Sequence, residues 1–221
     1  SLTSPTLISY SSLVSIGEYA FKDCTGLTSI SIPSSVTSIA VTAFRNCTAL
    51  EELFVVSNNP VYYGGYDMLN AIVEKDTDKL IIGCKTTEFP SWLKSIGDNA
   101  FYGCTGLTSA TIGNSVTNIG NYAFYGCTGL TSVTIGNSVT SIGYDAFRNC
   151  NNLSSVYFNG NIAQWCRIWF SFDSTFKIPS NPLYYAHNLY IDNQLVTDLV
   201  IPNSVTRSRS EERFSRNAET D

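Results

Sequence analysis

Apolar residues recur at a fixed interval of 23 residues through most of this chain, and they define a repeating unit. In the unit that begins at Ser115, the recurrent apolar positions are Val116, Ile119, Ala123, Phe124, Cys127, Leu130, Val133 and Ile135. A period of this length is typical of solenoids, in which each unit stacks on its two neighbours and cannot bury its apolar face alone. The pattern therefore predicts a β-rich repeat solenoid of roughly seven stacked rungs.

Each unit is expected to contain two short strands and one inward-packed turn. Residues 130–135 have apolar side chains at alternate positions, which predicts a strand with one buried face. After a Gly-Asn or Pro-Ser turn, the Val-Thr-x-Ile segment predicts a second short strand. Residues 121–127 place Ala123, Phe124 and Cys127 toward the core, and we expect a short helical or 3₁₀ turn there. A glycine precedes this turn in most units, but Ala40 replaces it in one, which indicates that a close approach between rungs is not strictly required.

Five of the seven cysteines occupy the same position of the repeat: Cys24, Cys47, Cys104, Cys127 and Cys150. Side chains on successive rungs point in parallel at the strand spacing of about 4.8 Å, whereas a disulfide needs converging Cβ atoms about 3.8 Å apart. We therefore expect a ladder of free, buried thiols that pack as small hydrophobes. Cys84 and Cys166 lie outside the ladder, and no cysteine spacing fits a zinc site.

The period divides the chain into five regions. Residues 1–57 are N-terminal repeats that begin in the middle of a unit, and residues 92–160 are three regular repeats. Between them, residues 58–91 form an irregular insert whose apolar runs flank the polar turn Lys75-Asp76-Thr77-Asp78. This pattern predicts a β-hairpin, either a variant rung that projects a hairpin or a loop that binds a ligand. Residues 161–206 are an aromatic-rich irregular unit, and residues 207–221 are a charged tail.

The aromatic-rich unit has two interpretations. Its rings either broaden the core locally or form an exposed patch for a glycan or peptide. Residues 189–191 and 199–202 flank Asp192-Asn193, which predicts a second hairpin. In the tail, eight of 15 residues are charged. We expect this segment to be disordered or non-native, and we base no function on it.

Composition excludes several classes of function. The net charge is −5, the pI is about 4.8, and only 13 lysines and arginines are present, so no nucleic-acid-binding face is expected. No apolar run reaches the length of about 18 residues that a membrane span needs, and the first residues do not form a signal peptide. Because the array begins within a unit, we expect a fragment of a longer exported protein. We also expect the chain to be monomeric.

The chain lacks the residue patterns of an enzyme. His187 is the only histidine and has no nearby cysteine or carboxylate pair, so no Ser-His or Cys-His arrangement is predicted. Glu51 and Glu52 are adjacent, but their side chains diverge on one strand and would need partners from other rungs. The glycines form columns rather than a phosphate-binding loop. No catalytic residue, metal or cofactor is predicted.

The run Ile-Gly-x-x-Ala-Phe-x-x-Cys-x-x-Leu-Thr-Ser, with the Leu-x-x-Ile-x-Ile segment that begins at Leu27, resembles the BspA-type leucine-rich repeats of bacterial and some protozoan surface proteins. The resemblance covers residues 12–57 and 92–160 as five full units. It implies a right-handed solenoid with a parallel sheet on its concave side, located outside the cell or at its surface. It also implies adhesion or binding to a host matrix, without identifying a ligand.

A binding face is predicted from strand alternation, because the fifth residue of Leu-x-x-Val-x-Ile points away from the core. These positions form a row of Ser31, Phe54, Thr111, Thr134 and Tyr157, and the third positions add Ser29, Glu52, Ser109, Ser132 and Ser155. The hypothesis is that Glu52, Phe54, Thr111, Thr134 and Tyr157 lie on one neutral-to-acidic concave surface that recognises a host or matrix protein or a glycan. A passive spacer that presents another domain at the cell surface is the alternative.

Overall fold

The computed structural model describes residues 12–64, 69–171, 180–198 and 200, which form a β-solenoid of about six turns. In chain order the elements are β1 (Ser15–Ile16), β2 (Ser29–Ile32), β3 (Ser38–Ile39), β4 (Glu52–Val55), β5 (Tyr62–Tyr63), β6 (Ala71–Glu74), β7 (Lys79–Gly83), β8 (Ser95–Ile96), β9 (Ser109–Thr111), β10 (Asn118–Ile119), β11 (Ser132–Ile135), β12 (Ser141–Ile142), β13 (Ser155–Phe158), α1 (Ile162–Trp165), β14 (Trp169–Phe170), α2 (Leu183–Ala186), β15 (Leu189–Ile191) and β16 (Gln194–Leu195). The β-rich solenoid predicted from the sequence is confirmed.

The longer strand of each rung forms the face that contains the predicted binding row. Parallel pairing shifts the register by one repeat, so that Val133 pairs with Ala110 on one side and Val156 on the other. All three of these side chains are buried. The predicted alternation and parallel pairing are thus confirmed. We call the outer surface of β2, β4, β9, β11, β13 and β15 the Leu-strand face.

The two-residue strands β8, β10 and β12 pair in parallel and form a second face, with Ile96, Ile119 and Ile142 buried in the core. Rungs approach closely just after these strands. A Cβ built on Gly143 would lie 2.5 Å from the carbonyl carbon of Gly120, whereas one built on Gly17 meets nothing within 4 Å. The close approach is therefore required in the regular C-terminal rungs, and the indication drawn from Ala40 is wrong for them.

The third face consists of turns at residues 17–24, 40–47, 97–104, 120–127 and 143–150, and we call its outer surface the turn face. The predicted helical or 3₁₀ conformation is wrong. The residue before each cysteine of the ladder has a positive φ: Asp23, Asn46, Gly103, Gly126 and Asn149. Aspartate, asparagine and glycine tolerate this left-handed conformation best. The left-handed residues leave backbone N–H groups of the turn available to bond across rungs. The N–H of Phe101, for example, donates to the carbonyl of Ala123 at 2.7 Å.

Beneath the turn face lie the predicted ladders of phenylalanine and cysteine. The Phe124 ring stacks between Phe101 and Phe147 at centroid distances of 4.9 and 5.1 Å. Three of these thiols donate to a carbonyl of the preceding rung, each at 3.1 Å: Cys47 to Phe21, Cys127 to Phe101 and Cys150 to Phe124. The five cysteines of the ladder are free, as predicted, and four of them are buried, whereas Cys24 is only partly buried.

The predicted hairpin of the insert forms as β6 and β7, but it does not project. Both of its faces are buried. Ile72 and Ile82 pack into an N-terminal core cluster with the first two rungs, whereas Val73 and Leu80 pack into a C-terminal cluster with the later rungs. The continuous apolar runs explain this position, because a strand buried on both sides has no polar face to expose. The hairpin therefore lies between the two core clusters and packs against both.

The aromatic-rich unit extends the C-terminal core through Trp165, whose ring contacts Phe158 at 5.3 Å and Phe170 at 5.6 Å. Asn161 caps the N-terminus of helix α1 by accepting a hydrogen bond from the Gln164 N–H. Tyr184 remains 53% exposed, so this unit is both a broader core and a partly exposed surface. The hairpin at Asp192-Asn193 forms between β15 and β16, earlier in the chain than its predicted second strand. Residues 199, 201–202 and 207–221 lie outside the described residues.

Candidate functional site

The structure brings together three residues of the predicted binding row. Thr111, Thr134 and Tyr157 pair in register on β9, β11 and β13, with their side chains on the Leu-strand face. The row continues to Tyr190 on β15, which pairs with Tyr157. The prediction did not include Tyr190 in the row, because the aromatic-rich unit places it 33 rather than 23 residues after Tyr157.

The other two predicted residues lie on a separate part of the face. Among the described strands, β4 pairs only with β2, so Glu52 and Phe54 are not adjacent to Thr111. The predicted single continuous row is wrong because the insert packs beside β4, where the N–H of Val55 donates to the carbonyl of Gly64 at 3.3 Å. Phe54 is 38% exposed.

The part of the face that contains Glu52 and Phe54 also differs in charge from the row of Thr111, Thr134 and Tyr157. Glu51 forms a salt bridge with Lys85 of the insert at 2.5 Å, and both side chains are partly exposed to solvent. Glu52 is exposed on the same strand. This N-terminal patch is therefore acidic, whereas the row from Thr111 to Tyr190 contains only uncharged side chains.

The tyrosine pair gives the C-terminal row its distinct geometry. The rings of Tyr157 and Tyr190 stack with centroids 4.7 Å apart and planes inclined by 20°. Because this separation equals the spacing of adjacent strands, about 4.8 Å, the rings stack along the row. The opposite face of Tyr157 is consequently turned toward Thr134, whose side chain is much shorter. A step results, with an aromatic wall on one side and threonine hydroxyls at its foot.

A second cluster, absent from the sequence prediction, lies on the turn face. The guanidinium of Arg45 stands 4.4 Å from the centroid of Tyr102, and its Nε and Nη2 donate to Asn99 Oδ1 at 3.0 and 2.6 Å. Tyr102 in turn stacks on Tyr125 at 4.6 Å. Burial raises the pKa of Tyr102, and the electrostatic interaction with Tyr125 raises it further. The signal in the sequence was the column position that precedes each left-handed residue, which holds Lys22, Arg45, Tyr102, Tyr125 and Arg148.

A cleft of about 420 Å³ opens beside the insert and bears on its predicted role as a ligand-binding loop. Its lining includes Tyr62, Tyr63, Phe89 and Trp92. The rings of Tyr63 and Trp92 meet edge to face at 5.2 Å, and Tyr63 OH donates to Asp78 at 2.8 Å. Burial and this carboxylate raise the pKa of Tyr63. The Tyr63 hydroxyl and the Asp78 carboxylate thus bond to each other, and a ligand-binding role for the insert stays a prediction.

Neither a metal centre nor a membrane span is found in the part of the chain that the structure describes. Its histidine, cysteine and acidic side chains form no group of three that could hold a metal ion. His187 is exposed and has a φ of 60° at the C-terminal end of α2. None of the helices in the described ranges is long and apolar enough to cross a bilayer.

The repeat geometry agrees with a family-level match. A model of the BspA-type leucine-rich repeat region matches residues 1–66 and 81–181, in six copies. This chain belongs to the BspA-type leucine-rich repeat family. The resemblance noted from the sequence is therefore confirmed, and the family is typically non-enzymatic and often found at the bacterial cell surface.

Solved structures similar to this BspA-type array include three bacterial repeat proteins. A leucine-rich repeat protein from Eubacterium ventriosum is 24% identical, covers 67% of this chain and has a TM-score of 0.46. One from Bacteroides ovatus is 33% identical over 66% of the chain, with a TM-score of 0.42. A leucine-rich cell surface protein from Faecalibacterium prausnitzii is 22% identical over 71%, with a TM-score of 0.33.

The BspA-type chain is short beside these proteins. It spans 46% of the Eubacterium ventriosum protein, 35% of the Bacteroides ovatus protein and 60% of the Faecalibacterium prausnitzii protein. No curated protein matches it significantly.

Proposed function

We propose that this chain is a recognition module of the cell surface or the extracellular space, and that it binds a host or matrix protein, or a glycan, through the Leu-strand face. The observation that carries the proposal is the change in the row from Thr111 and Thr134 to the stacked pair Tyr157 and Tyr190. Tyrosine supplies a large contact area at low entropic cost and is enriched in binding hot spots.

Two patches contribute to the proposed face. The first consists of Glu52 and Phe54 on β4, and the second of Thr111, Thr134 and Tyr157 on the C-terminal strands. The insert separates them, so only a macromolecular ligand that crosses it would contact both. A small ligand would occupy one patch. No metal or cofactor takes part in the proposed binding.

A passive spacer is the second candidate, and one observation favours it. Outward polar groups bond to the equivalent position of the preceding rung, as from Thr140 Oγ1 to the carbonyl of Thr117 at 3.1 Å and from the N–H of Tyr144 to Asn121 Oδ1 at 2.8 Å. A surface that satisfies its own polar groups needs no ligand. The spacer, however, gives no reason for the change from threonine to tyrosine in the row.

The test is a binding screen of the full chain against a panel of extracellular-matrix proteins and glycans, followed by Phe54→Ala and Tyr157→Ala. We expect at least one ligand whose affinity falls by about tenfold or more in one of the two variants. Unchanged affinity in both would place the site elsewhere on the solenoid. A panel with no ligand at all would favour the spacer.

A further inference from the structure

The C-terminal part of the Leu-strand face is free of charge over a long stretch of chain. No aspartate, glutamate, lysine or arginine occurs between Asp98 and Asp145. The outward residues of β9 and β11 are serine and threonine. In the loops that follow these strands, Asn114 and Asn137 are exposed to solvent. This surface offers hydroxyl and amide groups, which both donate and accept hydrogen bonds.

The step at Tyr157 adds an apolar surface to these polar groups. One face of its ring is covered by Tyr190 at 4.7 Å, and the other is turned toward Thr134 along the row. Thr111 follows one strand further on, so two hydroxyls lie at successive strand spacings of about 4.8 Å from the ring. The site therefore combines a flat aromatic wall with a floor of neutral hydrogen-bonding groups.

We propose that Thr111, Thr134 and Tyr157 bind a neutral glycan, with one sugar ring packed against Tyr157 and sugar hydroxyls bonded to the two threonines. A pyranose ring has a face of C–H groups and an edge of hydroxyls. The negative face of an aromatic ring attracts the C–H groups, and threonine pairs with the hydroxyls. This inference rests on the proposed function and narrows its ligand to one chemical class.

Charge argues against the other polymers of a cell surface or matrix. An acidic polysaccharide needs lysine or arginine to offset its charge, and a basic peptide needs carboxylates. Neither is present on the C-terminal row, whereas Glu51, Glu52 and Lys85 are concentrated on the N-terminal patch and its neighbouring insert. Because Thr111, Thr134 and Tyr157 carry no charge, we expect their ligand to be uncharged.

The experiment measures binding of the full chain to four probes by saturation-transfer NMR and titration. Three probes are neutral, the tetrasaccharides of glucose, galactose and N-acetylglucosamine, and the fourth is a sulfated heparin tetrasaccharide. We expect at least one neutral tetrasaccharide to bind and the sulfated one not to bind. Tyr157→Thr extends the natural threonine row and should weaken binding by about tenfold or more. Thr134→Val, which removes only the hydroxyl, should weaken it by a smaller factor.

Tyr19→Asn is the matched control, because Tyr19 is an exposed tyrosine of the turn face whose φ of 59° matches that of Asn99 at the equivalent position, and it should leave glycan binding unchanged. Loss of binding in Tyr19→Asn but not in Tyr157→Thr would overturn the location. If a matrix protein or the sulfated probe binds at Tyr157 and no neutral probe does, the assignment to a neutral glycan is wrong and the proposed function stands. If no probe and no matrix protein binds, both fail. Thermal unfolding of each variant confirms that the rungs remain folded.

Discussion

The turn face and the Leu-strand face respond differently to the same insert. On the turn face the second and third rungs remain in direct contact, because the N–H of Asn46 donates to the carbonyl of Tyr102 at 3.0 Å and Arg45 bonds to Asn99. On the Leu-strand face the described strands β4 and β9 belong to different sheets. Mechanical continuity and the candidate binding surface are thus on different faces of the solenoid.

The difference follows from how the hairpin enters the stack. It occupies the region between the two cores and reaches the inner side of the turns, where the N–H of Gly83 donates to the carbonyl of Ala100 at 2.8 Å. Phe89 of the insert stacks on Phe101 at 5.5 Å and continues the ring ladder from within. The insert therefore replaces the contacts of a rung in the core but leaves the outer turns joined. The longest unbroken row of paired outward residues on the Leu-strand face is therefore the C-terminal one, from Thr111 to Tyr190.

The largest effect is expected from the core that both faces share. Phe124→Ala should lower the free energy of unfolding by about 3–5 kcal/mol, because it removes a fully buried ring stacked on both sides. Thr134→Ala, on the Leu-strand face, should cost less than about 1 kcal/mol. Chemical denaturation measures both. Equal losses would contradict the assignment of inward and outward positions.

The contact between the hairpin and the turns can be tested at Gly83. A Cβ there would lie 2.1 Å from a ring carbon of Phe101, which is itself held between Phe89 and Phe124. Gly83→Ala should destabilise the protein by about 1–3 kcal/mol through overpacking. Gly113→Ala is the control, because the nearest atom to its Cβ would be 3.9 Å away. A stability loss as large in the control would refute the steric explanation.

The continuity of the turn face depends on Arg45 in our interpretation. Arg45→Ala should lower the free energy of unfolding by about 1–2 kcal/mol, because it removes the stacking on Tyr102 and both hydrogen bonds to Asn99. Unfolding should also become less cooperative across the insert. Lys22→Ala, at the same column position on the first rung, should change stability by less than about 0.5 kcal/mol. Calorimetry reports both the stability and the number of transitions.

The smallest effect concerns the thiols beneath the turn face. Burial raises the pKa of Cys104 and Cys150 to about 12, whereas a thiol of the unfolded chain titrates near pH 8.5. The unfolded state therefore releases these protons first, and stability is lost as the pH rises from about 8.5 toward 12. Between pH 7 and pH 9 the loss per thiol should stay below about 1 kcal/mol. In Cys150→Ala the free energy of unfolding should depend less steeply on pH. An unchanged slope would contradict the burial of this thiol.

The sequence predicts well the features that the period determines. One register places Phe124 and Cys127 inward and Thr134 outward in every regular rung, and the structure agrees. The period does not reveal backbone handedness within the turn, because Tyr122 adopts a φ of 55° in a position where residue type alone gives no warning. The cross-rung bonds on both sides hold this strained residue in place.

The insert and the candidate site show why non-periodic segments are harder to predict. Ala71–Glu74 and Lys79–Gly83 read as a hairpin from local pattern, but their position depends on contacts with two cores that are distant in sequence. The division of the predicted row at Phe54 follows from that position. Tyr190 joins the row only through the three-dimensional pairing of β13 with β15.

Within the turns at residues 97–104 and 120–127, the N–H groups of alternate residues donate to the next rung, although the first residue of a turn, such as Gly120, donates back to the preceding one. Asn99, Phe101 and Gly103 donate to the next rung, and the following turn repeats the direction as far as Arg148. In a sheet the dipoles of successive peptide groups alternate and largely cancel, but here they add along the axis with their positive end toward the C-terminal rungs. The buried carboxylate of Asp145, 2.9 Å from Arg148, lies in the last of these turns. A stretch of repeats without charged residues therefore still presents electrically unlike ends to a charged neighbour.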